Sequence, residues 1–234
     1  MEAEIRIRGL DKSYGKLILF NDFSISFEEK NINCILGPSG CGKTTLLNII
    51  SGSVQADHLT ENSFTGRKIS YVFQEPRLLP WKTVYENLVF TLRDVVPEKK
   101  LKSVADEYIY LVELEKFRHY YPHQLSGGMK QRLSLARAFS YPSDIILMDE
   151  PFKALDIKLK NNLINKFNKL WKNDQRTVIF VTHDVDETLI LGQNIKVFSE
   201  PPVKIIKDYK NSGNKTGLRK EIIDLFNHDH QEKS

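Results

Sequence analysis

The most specific chemistry in this 234-residue chain lies in Gly37-Pro38-Ser39-Gly40-Cys41-Gly42-Lys43-Thr44. Spaced glycines followed by a lysine and a hydroxyl form the phosphate-loop pattern, in which consecutive backbone N–H groups turn inward around an anion. The start of a helix adds positive potential, Lys43 adds a point charge, and Thr44, followed by Thr45, offers a hydroxyl oxygen to Mg2+. Without the lysine and threonine the same glycines would be a turn that caps a helix. Asp149-Glu150 is a second chemical centre. These carboxylates end the aliphatic run 145–148, so a buried strand delivers them to its C-terminal edge, where parallel sheets bind ligands. Their adjacency suggests divided labour, with Asp149 directed to Mg2+ and Glu150 polarising the water that attacks a γ-phosphate. The alternative is a solvated strand end before Pro151. Leu125-Ser126-Gly127-Gly128 opens another helix with a serine and two glycines whose N–H groups suit an anion; alone, it is an ordinary helix start.

A phosphate loop needs a strand before it and a helix after it. Residues 32–36 are a short apolar run that stops at Gly37, and Leu46, Leu47, Ile49 and Ile50 give helical spacing after Lys43. Upstream, Ile5 and Ile7, then Phe23, Ile25 and Phe27, alternate with polar neighbours and predict half-buried antiparallel strands. Residues 52–68 are polar and aperiodic, which predicts a short arm or loop before a strand at 69–73. Helical spacing over 82–118, broken at Pro97, predicts a mostly helical insert. Strands at 144–148 and 177–181 flank an amphipathic helix with Leu159, Leu163, Ile164, Phe167, Leu170 and Trp171 on one face and Asp156 as its cap. Strand, helix, strand implies a parallel α/β unit. Beyond Pro201-Pro202 a strand is expected over 203–206 and a helix over 218–226.

Composition sets the outer bounds. Hydrophobic residues are 41% and charged residues 27%, the profile of a globular chain and not of a disordered or collagen-like one. The longest apolar run, 108–112, has five residues, against about 20 for a bilayer-spanning helix. The acidic start at Glu2 and Glu4 is unlike a signal peptide, so export is not expected. Cys34 and Cys41 make no disulfide framework, which points to a reducing, cytoplasmic setting. The net charge of +4, evenly mixed, argues against nucleic acid as a partner.

The order phosphate loop, Gln74, Leu125-Ser126-Gly127-Gly128, Asp149-Glu150, Ala154-Leu155-Asp156 and His183 resembles the ATP-binding subunit of an ABC transporter across residues 4–200. The resemblance implies an α/β P-loop NTPase with a RecA-like parallel-sheet core, an N-terminal antiparallel β subdomain and a helical subdomain. Residues 1–74 would hold the β subdomain and the first part of the ATPase core, 75–140 the helical subdomain, 141–200 the second part of the core, and 201–234 a C-terminal strand and helix.

It also implies ATP and Mg2+ as cofactors, and roles for single residues. Tyr14 would stack on adenine, unless it is an exposed turn tyrosine; Gln74 would touch Mg2+ and the attacking water; His183 would contact the γ-phosphate; and Glu150 would activate water. Ser126, Gly127 and Gly128 would reach the ATP held by a second copy, with Asp156 along the shared seam, so that one chain cannot complete its own site. Partners would be that second copy, an integral-membrane permease and, indirectly, a solute-binding protein. The chain would sit in the cytoplasm against the inner face of the cell membrane.

Leu78, Leu79 and Trp81, in a proline-punctuated loop beside Gln74, resemble the groove that receives a permease helix, although each could pack under its own helices. The Leu-Leu-Pro-Trp run, Met129, residues 182–187 and residues 219–225 are similar to the nitrate, sulfonate and taurine importer branch. Three features depart from the family: Lys153 where glycine or serine is frequent, Asn31 in place of a turn glycine, and the short arm at 52–68. Asn31 is expected to take a left-handed conformation in that turn. An ABC ATPase acting on DNA would carry long coiled coils, yet only about 50 residues separate Gln74 from Ser126, without heptads. Ribosome-associated factors join two cassettes, exporters usually fuse membrane helices, and a kinase needs no Leu-Ser-Gly-Gly.

Overall fold

The computed structural model describes residues 3–231 apart from 154, 212 and 214, and no side chains at 173 or 226–231. Ala154 of the Ala-Leu-Asp motif therefore lies outside the described residues. The chain forms two compact units, Met1–Gly66 with Thr177–Ser234, and Arg67–Arg176.

The first unit begins with β1 (Glu4–Tyr14), β2 (Leu17–Glu28), β3 (Ile32–Leu36), α1 (Lys43–Ile50) and the short β4 (Glu61–Asn62). Strands β1 and β2 are antiparallel, with Ile5 opposite Phe27 and Ile7 opposite Ile25, so the alternating apolar residues share one buried face. Strand β4, within the polar arm, pairs with β1 through Ile7–Asn62 and Arg8–Glu61.

After the second unit the chain returns as β7 (Thr177–Thr182), α6 (Val185–Leu191), β8 (Asn194–Phe198), β9 (Ile205–Lys210) and α7 (Lys215–Gln231). Strand β3 lies between β7 and β8, parallel to both, and all five of its residues are buried, including Asn33, whose side-chain amide donates to the Glu28 carbonyl at 2.9 Å. Strand β9 closes this edge antiparallel to β8.

Two sequence expectations are corrected here, and one strand lies outside them. The strand after Pro202 runs over Ile205–Lys210, two residues later than expected, because Val203 is drawn into the core and its N–H bonds to the Leu19 carbonyl. Strand β8 escapes a pattern search because Asn194 and Lys196 interrupt its apolar residues. Both are buried but satisfied, Asn194 by Glu28 at 3.0 Å and Lys196 by Asp208. The left-handed turn residue is Lys30, at φ 58°, and not Asn31. Asn31 supports the turn instead, its side-chain amide donating to the Glu29 carbonyl at 3.2 Å.

The second unit carries β5 (Ile69–Val72), parallel to β6 (Ile145–Asp149), and, among the described residues, four α-helices: α2 (Val84–Leu92), α3 (Glu98–Leu111), α4 (Gly127–Ser140) and α5 (Ile157–Asp174). Thr83 and Glu86 form a capping box at the start of α2, and Pro97 stands immediately before α3, dividing the two helices. Val84, Leu88, Leu92, Ile109 and Leu133 fill the core they share with α4. Arg176 closes the end of α4, its guanidinium donating to the carbonyls of Phe139 (2.9 Å) and Tyr141 (2.7 Å). Among the described residues no helix is long and apolar enough to cross a membrane.

Candidate functional site

In the first unit the phosphate loop leaves β3 and enters α1 as its sequence requires. Gly42 occupies the N-cap of α1 at φ 99° and Gly40 sits at φ 80°, conformations that side chains rarely adopt. No side chain caps the helix, and the start of a helix suits an anion. A Cβ at Gly42 would also press on Leu19 of β2 at 3.1 Å, which seats the loop against the β1–β2 hairpin. Lys43 is 5% exposed, and its ammonium donates to the carbonyls of Gly37 (2.8 Å) and Pro38 (2.7 Å). A lysine buried inside its own loop is a positive charge held where an anion would be wrapped. Ser39, Gly40 and Thr44 are exposed, while Pro38 and Thr45 are half-buried.

Burial pushes the Cys41 thiol up, against the pull of the Lys43 charge, and burial raises Cys34 further. Both stay protonated thiols that pack rather than react.

Strand register brings His183 to the same edge. Leu36 pairs with Thr182, so the residues that follow them, Gly37 and His183, emerge side by side. Buried Thr182 donates to the Glu187 carboxylate at 2.8 Å, and Asp184 caps α6 through the N–H groups of Asp186 and Glu187, which locks the turn that presents the exposed His183. Tyr14 ends β1 opposite Leu17, half-exposed, with the Lys12 ammonium 5.1 Å from its ring centroid.

In the second unit, parallel register aligns Val72 with Met148, and Gln74 therefore meets Glu150 two residues beyond. Gln74 Nε2 donates to Glu150 Oε2 at 3.2 Å. Asp149 is buried at the strand end, and Glu150 has φ 44°, a left-handed conformation that costs a non-glycine residue about 1–3 kcal/mol and is typical of functional turns. Burial, and secondarily the Asp149 charge, push the Tyr71 phenol up. Lys153 Nζ lies 2.6 Å from the same Glu150 Oε2. Sequence reading noted Lys153 only as a departure; its spacing of three residues from Glu150 was the available signal.

Ser126 caps α4, its hydroxyl accepting from the Met129 N–H at 3.3 Å, and a Cβ built on Gly127 would meet nothing within 4 Å. Among the described residues nothing requires glycine there, and glycine costs about 1 kcal/mol against alanine in a helix. Gly128 follows in the first turn, half-buried. Asp156 caps α5, accepting from the Leu159 N–H at 3.0 Å, as its position before the helix suggested.

The loop after Gln74 behaves differently from the grouping of Leu78, Leu79 and Trp81. Leu78 packs against the helical core, whereas Trp81 is 69% exposed. Sequence reasoning missed the residue that shapes this loop. Fully buried Asn87 accepts from the Leu79 N–H (2.9 Å) and donates to the carbonyls of Leu79, Lys82 and Thr83.

Thr44 in the first unit carries a hydroxyl oxygen and Asp149 in the second a carboxylate, each a hard oxygen donor of the kind Mg2+ takes. Among the described residues no group of three or more His, Cys, Asp or Glu is arranged to hold a metal ion.

A phosphate loop on a parallel strand, an Asp-Glu strand end and a helical insert with a serine-glycine start define an ATP-binding cassette. The family model for ABC transporters matches residues 20–153, and the chain belongs to that family of ATPases. An uncharacterized ABC transporter ATP-binding protein of Methanocaldococcus jannaschii is 34% identical over 97% of this chain and 92% of its own length. An aliphatic sulfonates import ATP-binding protein of Bacillus cereus is 35% identical, covering 95% of each. Among solved structures, the dimeric structure of a bacterial ABC transporter cassette matches with a TM-score of 0.79 at 30% identity, covering 89% of this chain and 99% of that one. The same cassette is known in a post-hydrolysis state bound to ADP and Pi.

Proposed function

We propose that this chain is the ATP-hydrolysing subunit of an ABC importer, which closes as a dimer on ATP and drives uptake through a separate permease. The observation that carries this reading is the Gln74–Glu150 hydrogen bond at 3.2 Å, because the chain runs from Gln74 straight into the Asn87-clamped loop that exposes Trp81. A change at the water-activating carboxylate thus has a short covalent route to a surface fit for a membrane partner.

Each residue then has a part. Lys43 and the N–H groups of 39–45 hold phosphate oxygens, Tyr14 stacks on the base, and His183 contacts the terminal phosphate. Glu150 orients and accepts a proton from the attacking water, with Gln74 beside it. When bound, Mg2+ at Thr44 and Asp149 offsets phosphate charge. Ser126, Gly127 and Gly128 serve the second copy's ATP; the open space around Gly127 suits close approach from outside the chain. The similarity to a sulfonate-import protein supports the importer branch, a small oxyanionic solute and a position at the cytoplasmic membrane face.

The test is whether the chain copurifies with integral-membrane permease subunits and, reconstituted with them in proteoliposomes, supports ATP-dependent uptake of a sulfonate. Trp81→Ala should release the permease while ATP binding persists. Recovery with DNA or ribosomes and not with a permease would overturn the importer reading.

A further inference from the structure

Lys153 does something the shared motifs do not. Its ammonium lies 2.6 Å from Glu150 Oε2, the oxygen that already accepts from Gln74 Nε2 at 3.2 Å. A carboxylate oxygen has about two lone-pair directions. With both donors in place, both directions on Oε2 are taken, so a water approaching that oxygen beside the Gln74 amide must displace the Lys153 ammonium. The turn enforces the pairing, since the Lys153 N–H bonds to the Glu150 carbonyl and Glu150 holds the left-handed φ of 44°. The pair is also lopsided: the Glu150 side chain is 10% exposed and that of Lys153 is 53% exposed. An ammonium this open to water can be drawn away at little cost, on the order of 1 kcal/mol or less. Four residues on, Ile157 is 76% exposed at the first position of α5, directly after the Asp156 cap. The dimeric reading places Asp156 along the seam with the second copy, so the exposed Ile157 beside it is open to that copy.

We propose that Lys153 is a positioning residue that restrains Glu150 in the separate subunit and lets go when a second copy covers the 153–157 turn. The proposal rests on the dimeric ATPase reading above. Release frees one lone-pair direction on Oε2 beside the Gln74 amide, where the attacking water binds. Subunit closure and the readiness of the base are thereby linked: whatever breaks the pair favours closure, and closure favours hydrolysis.

The test compares the full-length chain with Lys153→Ser and Lys153→Arg. Turnover and KM are measured by phosphate release, and the dimer dissociation constant by sedimentation in ATP with EDTA, where hydrolysis does not intervene. Lys153→Ser should raise kcat about two- to fivefold with KM unchanged, and tighten the dimer by a similar factor, the equivalent of an ion pair of up to about 1 kcal/mol. Lys153→Arg, which keeps a charged donor, should restore the wild-type values of both. Equal or lower turnover in Lys153→Ser, or an arginine variant as fast as the serine one, would overturn the restraint. Failure of the wild-type chain itself to dimerise on ATP would instead overturn the dimer reading, so the two failures are distinguishable.

Discussion

Replacing Glu150 by glutamine separates water activation from everything else the site does. The amide keeps the shape of the side chain and an oxygen for the Gln74 N–H, but it cannot take a proton from water. A positioned general base contributes about 10²- to 10⁴-fold, or about 3–5 kcal/mol of barrier. Hydrolysis should therefore fall at least about 100-fold. Stability should hardly change: the substitution removes the ion pair to Lys153, and with that lysine half-exposed the cost is at most about 1 kcal/mol, or about 2–4 °C in a chain of this size. ATP binding should persist, because Lys43 with its two loop carbonyls and Asp149 are untouched. ATP should then accumulate unhydrolysed and hold two copies together. Phosphate release, differential scanning calorimetry and light scattering with ATP read the three quantities. Turnover within tenfold of wild type, or a monomer at saturating ATP, would refute the assignment of Glu150.

Lys43→Ala removes a charge-assisted bond to phosphate worth about 1.5–3 kcal/mol, so a fluorescent-ATP titration should show affinity reduced by roughly one to two orders of magnitude; unchanged affinity would remove Lys43 from the site. Asp156→Ala loses the cap on the Leu159 N–H, and urea unfolding should register a loss of about 1 kcal/mol. Lys166, 2.7 Å away, holds the Glu113 carboxyl below the usual carboxylate range. Its contribution is fully present above the ordinary value of about 4.3 and is lost as pH falls through the depressed folded value, so the melting temperature should drop less steeply on acidification in Glu113→Gln than in wild type.

Local patterns carried a great deal. The phosphate loop, the apolar run into Gly37, the Asp-Glu strand end and the Asp156 cap are contiguous, and their physics acts over a few residues. Alternation in β1 and β2 and the helical spacing of α5 reflect one-sided burial, which repeats along the chain and can be counted. Strand β8 was not visible because its Asn194 and Lys196 are neutralised by Glu28 and Asp208, partners distant in sequence that a linear pattern cannot supply. Asn87 was missed for the same reason: a lone asparagine in a helix says nothing until the loop at 79–83 folds onto it.

Sequence alone thus marked the groups proposed for phosphate, metal and water, because those groups sit in short motifs with fixed spacing. Tertiary structure decided their pairing. Parallel register set Gln74 against Glu150 and His183 beside Gly37, folding carried Leu78 inward while leaving Trp81 exposed, and the turn at 150–153 put the Lys153 ammonium on the carboxylate proposed as the base. Register and turn geometry depend on which strands meet, and hydrogen bonding between segments some 76 to 146 positions apart is settled only when the strands of each unit come together.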